Sequence, residues 1–158
     1  MNDHEAALEK RNRVNGKILE QYDNGAVGPV LPVVSLDEFF DGNWDEDSLA
    51  PNIVRDGRPP LQECYRVLRE IRKRPEVQDV LVAIHETPEP NEPLDFDIWP
   101  ESDTVYVLAS CSRDEIAHWA APLKPDNIGD KWSCKTGKKP PAAPDLLPGM
   151  KLFVLWWD

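Results

Sequence analysis

The sequence lacks several features that identify secreted proteins, proteins stabilised by a structural metal ion, or membrane proteins. Only three cysteines occur, at positions 64, 111 and 134, and no C-x-x-C pair is among them. Neither a disulfide framework nor a zinc ribbon is therefore indicated. No run of about 18 apolar residues is present, and the N-terminus has no apolar segment typical of a secretory signal. We expect a cytoplasmic protein with reduced thiols and no membrane association.

Basic residues are also scarce relative to acidic ones. The chain has 18 Lys and Arg residues and 29 Asp and Glu residues, which gives a formal net charge of −11. A protein that neutralises nucleic-acid phosphates needs a basic surface, so we expect no nucleic-acid partner. A basic protein is the natural electrostatic complement of this chain.

Motifs for metals and nucleotides are incomplete. The alternating residues Asp41, Asn43, Asp45 and Asp47 are similar to the start of a calcium loop. Glu46 and Asn52, however, stand where that loop needs Gly and a bidentate Glu. The segment "CKTGKK" at 134–139 lacks the first Gly and the final Ser or Thr of a phosphate-binding loop. The sequence therefore predicts no metal site and no cofactor.

Hydrophobic patterning predicts a chain of mixed secondary structure. Helices are predicted over residues 3–22, at "SLDEFF" (35–40), from 59 to 74 and at "RDEIAHWAAP" (113–122). Strands are predicted at about 78–86, 103–110 and 151–157. We expect an N-terminal helix and linker over 1–30 and a single α+β domain over 31–158. Its sheet should be mixed or mainly antiparallel, with at least three strands and helices packed on it. The last strand is apolar on both faces, which indicates a central strand.

Negative charge is concentrated in two segments that also carry aromatic residues. Residues 35–54 contain six acids and residues 86–103 contain seven, and neither segment has a Lys or Arg. Loops on a rigid scaffold commonly carry binding residues, and aromatics inside a charged rim commonly anchor protein interfaces. We expect Phe39 and Phe40 to be buried in the core. The candidate partner-binding residues are Asp41, Trp44, Asp45, Glu46, Asp47, Glu92, Asp95 and Asp97.

Four segments together resemble a known group of bacterial proteins. They are "VVSLDEFFDGN" at 33–43, "RPEVQDVLVAI" at 74–84, "WPESDTVYVLAS" at 99–110 and "PGMKLFVLWWD" at 148–158. This pattern resembles small acidic immunity proteins of polymorphic-toxin systems. The resemblance implies a non-enzymatic protein that neutralises a cognate toxin domain, often a basic nuclease, by binding and covering it. It transfers no individual functional residue.

Two other functions remain open from the sequence. The first is a small enzyme whose site is assembled from distant residues, with His85, Cys111 and His118 as its members. The second is a non-catalytic adaptor subunit of a larger assembly.

Overall fold

The computed structural model describes residues 3–23, 31–51, 58–85, 98–132 and 137–158. In these ranges the helices are α1 (Asp3–Asp23), α2 (Leu36–Phe40), α3 (Leu61–Arg72) and α4 (Arg113–Ala120), and a 3-10 turn at Ala121–Leu123 follows α4. The strands are β1 (Val33–Ser35), β2 (Val77–Ala83), β3 (Thr104–Ala109), β4 (Asn127–Gly129) and β5 (Lys151–Trp156).

The strands form one sheet in the order β1-β2-β3-β5-β4, and every neighbouring pair is antiparallel. The C-terminal strand β5 inserts between β3 and β4, which confirms its predicted central position. The architecture is a single α+β domain with helices packed on a five-stranded antiparallel sheet, as the sequence predicts. Two of its strands, β1 and β4, have three residues each and were not predicted.

The main core lies between one face of the sheet and the helices. α3 buries Leu61, Cys64, Val67, Leu68 and Ile71, which recur at the spacing of one helical face. They pack in one cluster with β2, β3 and β5 residues, and Phe39 and Phe40 of α2 join the same cluster, as expected. This packing explains the amphipathic pattern of α3, because its charged residues fall on the opposite face.

The second face of the sheet is covered by irregular chain instead of helices. Tyr106, Leu108, Leu152 and Val154 form a smaller cluster there with Ala143. Leu31 and Trp132 pack against this cluster from outside the sheet. Because both faces are covered, β3 and β5 read as nearly continuous apolar runs.

Helix α1 packs on the domain and covers the edge strand β1. Val14 and Ile18 are buried in the main core. The side-chain amide of Gln21 donates to the C=O of Val33 at 2.7 Å, and its oxygen accepts from the N–H of Val33 at 2.8 Å. One carboxamide thus replaces a neighbouring strand, which protects an edge that natural sheets rarely leave open.

Within the described ranges, no helix has the length and apolar character needed to cross a membrane.

Candidate functional site

Helix α2 positions the acidic loop, by which we mean residues 41–51. The helix begins at a capping box in which Ser35 Oγ accepts from the N–H of Glu38 and Glu38 Oε1 accepts from the N–H of Ser35. Phe39 and Phe40 anchor its inner face in the core. The helix ends at Phe40 with Asp41 as its C-cap, and Gly42 with φ of 81° turns the chain away.

The acidic loop is held first by its own side chains. Asn43 Oδ1 accepts from the N–H of Asp45 at 2.9 Å, and Asp45 Oδ1 accepts from the N–H of Asp47 at 3.0 Å. Asn43 Nδ2 donates to Ser48 Oγ at 2.8 Å. Asn and Asp commonly stabilise turns by such bonds to backbone two residues ahead. The alternating Asn and Asp residues are therefore explained by turn formation.

The same loop is fixed to three other parts of the fold. Asp45 Oδ2 accepts from the N–H of Trp99 at 3.2 Å. Glu46 Oε1 accepts from the N–H of Leu61, the first residue of α3, at 3.1 Å. An acidic side chain at this position also complements the positive end of a helix dipole. Two of the four predicted acids thus hold the loop in place.

Arg58 closes the far end of the loop. Its guanidinium donates to Asp47 Oδ1 at 2.6 Å and to the C=O of Leu49 and Ala50 at 3.3 and 3.0 Å. The side chain of Arg58 is only 7% exposed, whereas that of Asp47 is 65% exposed. The loop then runs beside the chain before β3, where Ala50 N–H donates to Ser102 C=O and Ser102 N–H donates to Ser48 C=O. Its conformation is therefore determined from both ends.

Trp44 forms part of the support of the loop. It is half-buried against the main core. Its ring meets the buried ring of Trp99 edge to face at 5.4 Å between centroids and lies 5.8 Å from the ring of His4 in α1. This environment limits the area of Trp44 that a partner can contact. The predicted role of Trp44 as an interface anchor stays untested.

Two carboxylates of the loop point outward. The side chain of Asp41 is 63% exposed and pairs with Lys10 at 3.0 Å, and Asp47 is exposed to a similar degree. Exposed ion pairs of this kind contribute little to stability, typically about 0–1 kcal/mol. Asp41 and Asp47 are therefore exposed although each pairs with a basic residue, Lys10 and Arg58 respectively, whereas Asp45 and Glu46 are half-buried.

The structure brings the first group of predicted site residues together but leaves the second group undescribed. Asp41, Trp44, Asp45, Glu46 and Asp47 lie on the acidic loop. Glu92, Asp95 and Asp97 lie outside the described residues. The described chain resumes beside the acidic loop, since the C=O of Ile98 accepts from buried Arg11 at 3.3 Å and Trp99 bonds to Asp45.

The residues of the enzyme alternative do not form one site. His85 follows β2 and lies beside the segment that precedes β3, with Nδ1 3.7 Å from Asp103 Oδ1 and Nε2 3.9 Å from Glu101 Oε2. Cys111 lies beyond the opposite end of β3, and five residue steps of about 3.4 Å place these ends about 17 Å apart. His118 is exposed on α4. Cys111 is buried, and burial raises the pKa of its thiol, which disfavours the nucleophilic thiolate.

The parts of the chain with described coordinates contain no group of three His, Cys, Asp or Glu side chains arranged to hold a metal ion. In the acidic loop, Asp45 and Glu46 instead accept backbone N–H groups.

A polar cluster between α2 and α3 was missed by sequence reasoning. Asp37 accepts from Arg72 at 3.1 Å through both oxygens and also accepts from the hydroxyl of Tyr65. The hydrogen bond from Arg72, and after it the one from Tyr65, lowers the pKa of Asp37. Burial and the bond to Asp37 raise the pKa of Tyr65 to about 12. Arg69 lies over the Tyr65 ring, 4.3 Å from its centroid. The cluster joins the two helices that flank the acidic loop.

Comparison with known proteins now places the chain in a family. Residues 9–155 match the sequence model of the Uncharacterized protein YfbO family. The chain belongs to this family. It is similar to the "Uncharacterized protein YfbO" of Escherichia coli (strain K12), with 30% identity over 128 residues, covering 80% of this chain and 83% of that protein. No solved structure matches the chain. The YfbO match spans every helix and strand described above except the first residues of α1 and the last residue of β5.

Proposed function

We propose that the protein is a cytoplasmic bacterial immunity protein that binds a basic toxin domain and neutralises it by covering it. The partner would contact the acidic loop, and the protein itself would carry out no catalysis. The main support is the arrangement of the loop, in which Asp41 and Asp47 are exposed while Asp45 and Glu46 are tied to Trp99 and Leu61.

Rigidity of the loop supports binding in preference to a purely solvated turn. A flexible loop loses conformational freedom when a partner orders it, and this loss weakens association. Here hydrogen bonds to Leu61, Trp99 and Arg58 fix the loop before any partner arrives. Two exposed carboxylates held in a fixed geometry can therefore attract and orient basic side chains at little entropic cost.

Charge supports a basic partner. The net charge of −11 favours long-range attraction to a positive domain. The first turn of α1, where His4 contacts Trp44 of the acidic loop, also contains the acids Asp3 and Glu5. These neighbours favour one acidic contact region over scattered surface charge.

The division of roles within the loop follows from exposure. Asp41 and Asp47 would make direct contacts with the partner, and Asp47 would also hold the end of the loop through Arg58. Asp45 and Glu46 would preserve the loop conformation, and Trp44 would support the loop from below through its contact with Trp99. Glu92, Asp95 and Asp97 remain predicted contact residues on the strength of the sequence.

Co-expression with the product of the adjacent gene tests the proposal. We expect that product to arrest growth when expressed alone, and we expect this protein to restore growth and to co-purify with it. The variant Asp41→Asn/Asp47→Asn should co-purify more weakly, while Asp114→Asn/Asp145→Asn removes the same charge elsewhere and should behave as wild type. Absence of any toxic neighbour, or equal behaviour of the two variants, would contradict the proposal.

A further inference from the structure

Among the residues that the structure describes, one edge of the sheet is covered only in part. β4 pairs with Val154, Leu155 and Trp156 of β5, but β5 begins three residues earlier, at Lys151. On the β4 side, the C=O of Trp156 accepts from the N–H of Asp126, and on the β3 side the N–H of Trp157 donates to Asp103.

The direction of these bonds identifies the open backbone groups. In an antiparallel sheet, the backbone groups of successive residues point alternately to the two neighbouring strands. Since Trp156 bonds toward β4 and Trp157 toward β3, the N–H and C=O of Leu152 point toward the β4 side. In the described part of the chain, β4 ends at Gly129, opposite Val154, so no described strand lies beside Leu152 on that side.

A cavity lies along this open edge. Its volume is about 570 Å³, and it is lined by Arg113, Ile128, Gly129, Asp130, Lys151 and Leu152, together with Phe153. Natural sheets usually block an open edge, because it offers unpaired donors and acceptors to another strand. The opposite edge of this sheet is blocked by Gln21. The two edges of the described sheet are therefore covered to different extents.

The side chains around the open edge are mainly basic, although the protein is acidic. Arg113 and Lys151 line the cavity with a single carboxylate, Asp130. Arg113 Nε donates to the C=O of Ile128 at 3.1 Å, which holds the guanidinium at the edge. Lys131 is exposed immediately after Asp130. An extended segment with carboxylate side chains complements both the backbone and the charge of this edge.

We propose that the edge at Lys151–Phe153 binds an extended, acidic segment of a protein partner by β-strand addition. Leu152 would supply one N–H donor and one C=O acceptor, and Arg113 and Lys151 would pair with carboxylates of the added strand. This proposal is independent of the acidic loop and of its basic partner.

A peptide titration tests the edge directly. The probe is a fluorescein-labelled ten-residue peptide of alternating valine and glutamate, and its binding to the full chain is followed by fluorescence anisotropy. We expect saturable binding, and at least tenfold weaker binding of the matched peptide in which lysine replaces glutamate. In the bound state, hydrogen exchange at the amide of Leu152 should slow at least tenfold.

Variants separate the roles of backbone and charge. Leu152→Pro removes the N–H that faces the edge and should weaken peptide binding at least tenfold, provided that circular dichroism shows a folded protein. Arg113→Glu/Lys151→Glu tests the charge without changing the backbone and should have a similar effect. Arg66→Glu/Lys73→Glu makes the same charge change on α3 and should bind as wild type. Lack of saturable binding, or equal affinity of the two charge-reversal variants, would overturn the proposal.

Discussion

Replacing Asp45 by alanine removes the carboxylate that ties the acidic loop to the body of the protein. Asp45 accepts from the N–H of Trp99 at 3.2 Å and from the N–H of Asp47 at 3.0 Å. Hydrogen bonds to charged groups contribute about 1.5–3 kcal/mol each, and the loss also leaves an N–H without its acceptor at the fully buried Trp99. Water can replace Asp45 as the partner of the Asp47 N–H, because Asp47 is exposed. We therefore predict a loss of about 2–4 kcal/mol in the free energy of unfolding.

Urea unfolding followed by far-UV circular dichroism measures this loss, with Asp41→Ala as the matched control. Asp41 belongs to the same loop but makes an exposed ion pair with Lys10, so its removal should cost about 0–1 kcal/mol. Asp45→Asn keeps a carbonyl oxygen as acceptor and should fall between the two alanine variants. If Asp45→Ala and Asp41→Ala destabilise the protein equally, the distinction between supporting and exposed acids is wrong.

Further predictions concern the fold around the site. Arg72 and Tyr65 lower the pKa of Asp37 in the folded protein. The contribution of Asp37 to the stability of the fold is therefore present above its unfolded pKa of about 3.9 and is lost as the pH falls through the lower folded pKa. The difference in urea midpoint between wild type and Asp37→Asn should shrink below about pH 4. Gln21→Ala leaves the N–H and C=O of Val33 at an uncovered edge and should cost about 1–2 kcal/mol in the same assay. Leu68→Ala should cost about 2–5 kcal/mol, because Leu68 is fully buried. Burial, with Glu46 nearby, raises the pKa of Cys64 to about 12. A thiol reagent at about pH 8 should therefore label Cys64 only at the rate at which the protein unfolds. Rapid labelling of the native protein would contradict the burial of Cys64.

Long elements with strong patterns were predictable from the sequence, and short ones were not. α3 carries an apolar face over 12 residues, and α2 begins at the Ser35 capping box that its sequence signals. β1 and β4 have three residues each, which is too short to show an alternating pattern. β4 also lies in a stretch rich in proline and glycine, where only its pairing with β5 makes it a strand.

The location of the candidate site was predictable, but the roles of its residues were not. The run of acids from Asp41 to Asp47 predicts a polar loop after a short helix. The partners of Asp47, Glu46 and Asp45 are 11, 15 and 54 residues away in sequence, so only the fold brings them into contact. Trp44 illustrates the same limit, because the residues that half-bury it come from α1 and from the segment before β3.

The rate of association between this protein and the proposed basic toxin partner tests the central claim most directly. Stopped-flow measurements at several salt concentrations should compare wild type with Asp41→Asn/Asp47→Asn and with the control Asp114→Asn/Asp145→Asn. If the acidic loop guides a basic partner, the loop variant should associate about two- to tenfold more slowly at low salt, and the difference should narrow as salt screens the charges. Equal rates and equal salt dependence for the two variants would contradict the assignment of the acidic loop as the binding site.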